Sequence, residues 1–94
     1  MLCVQVHIDM SLGEFSSEFN SESHLKKSIS QECKVSEDGF SIGVEPDGVD
    51  KCFLSMKFPS PDAGVFSRLS MTTLGNACRL DPDQIFTISF QMVK

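Results

Sequence analysis

Residues 2–10 read LCVQVHIDM. Every even position (Leu2, Val4, Val6, Ile8, Met10) is apolar, and every odd one (Cys3, Gln5, His7, Asp9) is polar or carries a thiol. A strand sends successive side chains to opposite faces, so unbroken period-two alternation predicts a β-strand buried on one side. Such a strand belongs to an antiparallel or mixed sheet with only one face covered. This constrains everything that follows, because the rest of the chain must supply both pairing strands and a cover.

The cover begins at once. Ser11 and Glu14 match a capping box, and Met10 and Phe15 match the hydrophobic staple that fixes how a chain enters a helix. Phe15, Phe19, Leu25, Ile29 and Cys33 approximate one helical stripe. The Ser-rich stretch SSEFNSES interrupts it, since serine hydroxyls compete for backbone hydrogen bonds. A loop over residues 16–22 and a helix over 22–32 is therefore the alternative.

Residues 33–58 read as a hairpin. Phe40, Ile42 and Val44 alternate with small or polar residues, and so do Cys52, Leu54, Met56 and Phe58. Glu45–Gly48 (EPDG) carries turn chemistry between them, and EDG at residues 37–39 is an earlier turn. Pro59 and Pro61 end the second arm because neither can donate to a ladder. Ser60 then reads as an N-cap with Pro61 at the first helical position. Val65, Phe66, Leu69, Thr72 and Thr73 share a helical face, and Gly75 fits a terminator. Residues 64–73 also alternate, so a strand there, in a β-rich fold, is the rival. Residues 85–93 are the last strand, with Phe86, Ile88, Phe90 and Met92 on one side and Thr87, Ser89 and Gln91 on the other.

The order strand–helix–strand–strand–helix–strand in a single domain of 94 residues predicts an α+β fold. The expectation is a ferredoxin-like βαββαβ sandwich, with a four-stranded antiparallel sheet and two helices on one face. Its open face gathers Cys3, Gln5, His7, Asp9, Ser41, Glu45, Phe53, Ser55, Lys57, Thr87, Ser89 and Gln91.

Charge narrows the function classes. Eight Lys and Arg oppose thirteen Asp and Glu, for a net charge of −5. Direct binding to nucleic acid or an anionic membrane is disfavoured, because phosphate neutralisation supplies most of that affinity. RNA-binding sheets stack bases on several aromatic residues. Phe53 stands alone in this reading, so the platform is missing. No apolar run approaches the ~20 residues that span a bilayer. Cys3, Cys33, Cys52 and Cys78 have no CxxC spacing, and residues 2–10 alternate too strictly for a signal-peptide core. Four reduced thiols in an intracellular, cytoplasmic setting are expected, with no metal and no cofactor. Phosphate loops of the GxGxxG or GxxxxGK[ST] kind are absent.

Candidate sites are few. His7 and Asp9 share a face and could serve as an acid–base pair, although alternation alone demands polar residues there. Cys78 beside Arg79 hints at thiolate stabilisation, and Cys3 is the thiol on the open face. The leading expectation is a non-enzymatic regulatory module, an adaptor or inhibitor, that binds a protein partner or a second copy. It would use His7, Asp9, Glu14, Glu18, Glu22 and Phe53, with the long first and last strands as pairing edges. The alternative is a small enzyme or ligand-binding oligomer built around His7 and Asp9.

Overall fold

The computed structural model describes residues 1–16, 21–62 and 64–93. The chain forms an α+β fold whose four strands make one antiparallel sheet in the order β2-β3-β1-β4. The strands are β1 (Leu2–Ile8), β2 (Ser41–Pro46), β3 (Cys52–Phe58) and β4 (Ile85–Met92). Four helices are seen among the described residues. They are α1 (Leu12–Ser16) and α2 (Glu22–Cys33) between β1 and β2, and α3 (Val65–Arg68) and α4 (Met71–Cys78) between β3 and β4.

Each expected helix is thus two shorter ones. Ser11 caps α1 by accepting the Glu14 N–H at 3.2 Å. Ser21 restarts the chain as the N-cap of α2, accepting the His24 N–H at 3.3 Å. Such a cap stabilises a helix end by ~1 kcal/mol. The stripe over α2 is Leu25, Ile29 and Cys33, all buried. Phe19 and Glu18 lie outside the described residues.

The second helical segment differs more from expectation. Residues 64–73 are not a strand: they hold α3 and the first residues of α4. Ser60 does not cap it. Asp62 instead accepts the Gly64 N–H at 2.8 Å, and Ser70 caps α4 by accepting the Thr73 N–H at 3.1 Å. Gly75 sits inside α4, where a Cβ would stand 3.2 Å from the Leu80 carbonyl oxygen. The helix ends instead on Arg79, which adopts φ 57° in the left-handed region. Arg68 ties the two helical segments together. Its guanidinium holds both Asp62 carboxylate oxygens, at 3.0 and 3.2 Å, and its Nε donates to the Cys33 carbonyl at the end of α2.

The alternation of β1 does what its period demands. Leu2, Val4, Val6 and Ile8 are fully buried with Leu54, Met56 and Phe58 of β3. They share a core with Phe15, Leu25, Ile29, Val65 and Leu74 from the helices, and with Leu69 from the link between α3 and α4. Burial of a side chain such as Leu54 contributes about 2–3 kcal/mol. Phe40 stacks on Phe58 at 5.1 Å between ring centres.

Two strand expectations need correction. The first strand is no edge, since β1 pairs with both β3 and β4. The last strand does not alternate evenly. Its register slips between His7 and Ile8, so that His7 faces Thr87 while Ile8 faces Ile85. Phe86 is the extra residue of a β-bulge, which re-aims its side chain. Ile85 therefore enters the core, and Phe86 turns to the open face beside His7.

Candidate functional site on the open sheet face

The registers place the uncovered residues in three rungs across the four strands. Glu45, Phe53, His7 and Thr87 form the first. Gly43, Ser55, Gln5 and Ser89 form the second, and Ser41, Lys57, Cys3 and Gln91 the third. Alternation creates such a face without any chemistry, so only what the rungs bring together is informative.

The first rung brings together more than the sequence indicates. The His7 ring lies 5.7 Å from the Phe53 ring and 5.8 Å from that of Phe86, tilted against both. Lys51, from the β2–β3 turn, sits 5.0 Å above the Phe86 ring in cation–π geometry. The same turn supplies the carboxylate nearest to His7: Asp47 Oδ2 is 3.9 Å from Nδ1. That distance is too long for a hydrogen bond. Gly48 makes the turn with φ 81°, and the Asp47 N–H donates to the Lys51 carbonyl at 2.9 Å.

The expected partner of His7, Asp9, lies past the end of β1. It is exposed, and its N–H donates to the Gln84 carbonyl at 2.8 Å. Glu14 and Glu22 are exposed in the first turns of α1 and α2, on the layer opposite the open face. Glu22 lines a shallow hollow of about 300 Å³ with Leu12, Ser16, Ser21 and Val44. Glu18 falls outside the described residues. Among the described residues singled out from the sequence, His7 and Phe53 lie against one another. The aromatic row is also fuller than expected, because the bulge adds Phe86. That bulge leaves a trace in the sequence, the consecutive large apolar pair Ile85-Phe86, which no even alternation can place.

The second and third rungs are shallow and polar. Ser55 and Lys57 are shared by two open hollows. One, of about 210 Å³, runs toward Ser41, Gly43 and Glu45; the other, of about 250 Å³, runs toward Cys3, Gln5, Ser89 and Gln91. No group of three or more His, Cys, Asp or Glu among the described residues could hold a metal ion.

All four cysteines are free thiols. Cys33, Cys52 and Cys78 are buried, and Cys3 is half-buried on the open face. Burial pushes the Cys78 thiol up to about 12 and the Cys33 thiol up to about 11, and it raises Cys52 as well. The sequence hint that Arg79 activates Cys78 is therefore overturned, because desolvation dominates.

A second surface was only partly visible in the sequence. Phe90 is 42% and Met92 60% exposed, and Phe66 of α3 is 46% exposed. The rings of Phe66 and Phe90 lie 5.5 Å apart, so these residues form one patch along the free edge of β4. Phe66 can be suspected from the helical pattern. Phe90 and Met92 have the same parity as core residues and read as buried.

No helix among the described residues is long and apolar enough to cross a membrane. No family model, curated protein or solved structure matches this chain.

Proposed function

We propose that this chain is a small, non-enzymatic protein-binding module that docks through the β4 edge. One observation carries the reading. An uncapped edge strand runs directly alongside the exposed row of Phe66, Phe90 and Met92. A free edge offers backbone hydrogen bonds for strand addition, and the flanking apolar side chains add buried area. The four free thiols support a reducing compartment such as the cytoplasm. A ferredoxin-like assignment belongs to the same reading. It is supported by the central position of β1 and β3 and by the helices that separate β1 from β2 and β3 from β4.

The test is site-specific photocrosslinking in the source cells. A benzophenone side chain at position 90 should join the chain to protein, and one at Ser41 on the opposite edge should not. Equal yields from the two positions would overturn the assignment of the docking edge.

A second reading places a ligand on the open face, favoured by the His7–Phe53–Phe86 cluster. It expects His7→Ala to remove a small-molecule interaction with little change in stability. The docking reading expects that variant to retain full crosslinking from position 90. Charge reversal at Glu14 and Glu22 separates a contribution of the acidic helix ends from that of the edge.

A further inference from the structure

We infer that the occupant of the β4 edge is a second copy of this chain, paired antiparallel through β4 about a twofold axis. This rests on the docking reading above and names its partner.

The backbone supplies the first argument. Met1 and Val93 exchange two hydrogen bonds, at 2.7 and 2.8 Å. They are therefore a hydrogen-bonded pair of the β1–β4 ladder, and such pairs alternate along antiparallel strands. Cys3–Gln91, Gln5–Ser89 and His7–Thr87 follow as the other hydrogen-bonded pairs. The N–H and C=O groups of Ile88, Phe90 and Met92 consequently point away from β1, where no strand among the described residues pairs with them. A row of one donor and one acceptor at every second residue is its own complement under a twofold rotation.

Charge supplies the second. Two copies of a chain with net charge −5 repel one another. Burying acidic groups against each other would add a desolvation cost. β4 reads IFTISFQM and carries no charged residue, so two copies can meet along it without opposing like charges. The other edge, β2, carries Glu45.

Packing supplies the third. Ile88, Phe90 and Met92 face the side of the sheet that carries the core, but the helices leave Phe90 and Met92 open. Pairing two β4 strands sets these residues and both Phe66 rings on the same side of a continuous sheet. The apolar layer then crosses the junction.

The experiment combines sedimentation with residue-resolved amide exchange of the full chain across a concentration series. The expected result is a mass approaching two chains, with the amides of Ile88, Phe90 and Met92 gaining protection in step. Phe90→Lys should weaken the dimer about tenfold or more. Met92→Pro, which removes one outward N–H, should act in the same direction. Unchanged exchange in β1 and β3 establishes that either variant is folded. A single-chain mass throughout, or a dimer in which those three amides still exchange freely, overturns self-pairing. If the chain stays single and a different protein crosslinks at position 90, the docking reading stands and self-pairing falls.

Discussion

The two edge strands, β2 and β4, end the same sheet in opposite ways. β2 has six residues, among them Gly43, Glu45 and Pro46, and both α1 and α2 pack on it. Glycine, a charge and a proline are ordinary means of blunting an edge. β4 has eight residues with no glycine, proline or charge, and α4 packs on it. Its one irregularity, the bulge at Phe86, lies at the end already anchored by buried Ile85. The difference shows that an exposed apolar row need not be a packing failure. One edge is guarded by three devices and the other by none over Ile88–Met92, and the proposed pairing rests on that contrast.

The contrast can be broken first at the anchor of β4. Ile85→Ala should cost about 2–4 kcal/mol, because a buried side chain is removed from beneath the bulge. Met92→Ala should change the stability of the single chain by less than ~0.5 kcal/mol. Urea midpoints at low protein concentration distinguish them, and equal losses would mean that β4 is not anchored at one end.

A smaller effect sharpens the picture of the covered side, where the buried thiols lie. The folded-state pKa values of Cys33 and Cys78, about 11 and about 12, stand above the ordinary value of 9.0, and Cys52 is raised too. A raised thiol pKa leaves stability intact below pH ~9, where both states are protonated. Stability then falls as the pH climbs from there through the folded-state values, because the unfolded chain releases its protons first. The urea midpoint should decline above pH ~9, and Cys78→Ala should make the decline shallower. At neutral pH a thiol reagent should modify Cys3 faster than the three buried thiols.

Deleting Phe86 should have a lesser effect, on the order of 1 kcal/mol. Thr87 and Ile85 then become neighbours and can face His7 and Ile8 without a bulge. The edge straightens, Ile85 keeps its place, and the His7 ring protons lose the ring-current shift from Phe86. A loss as large as that of Ile85→Ala would show that the bulge itself holds the register.

The smallest change in single-chain stability, under ~0.5 kcal/mol, should come from removing the guards of β2 by combining Glu45→Val with Pro46→Thr. Its visible effect should be association, since the chain would then carry two open edges and could form species larger than a dimer. Sedimentation of the double variant checks this.

Much of the architecture was legible because alternation and helix caps are local signals. Residues 2–10 announced a half-buried strand, and Ser11 marked a helix start through its own hydroxyl, whereas the caps at Ser21 and Ser70 emerge only in the structure. Ser60 misled because Asp62, two residues on, makes the local turn instead. The site was less legible. His7 and Phe53 could be placed on one face by parity, but Asp47 and Lys51 reach His7 and Phe86 only through the turn at Gly48.

Side-chain period therefore settled which residues of β1 and β3 are buried, and the sequence settled the acidic character and the absence of a basic stripe. The tertiary structure alone decided that β1 is central and β4 an edge, that Phe86 turns outward, and that Phe90 and Met92 stay uncovered. The reason is physical. Alternation reports which way a side chain points, whereas exposure depends on what else in the fold reaches that place.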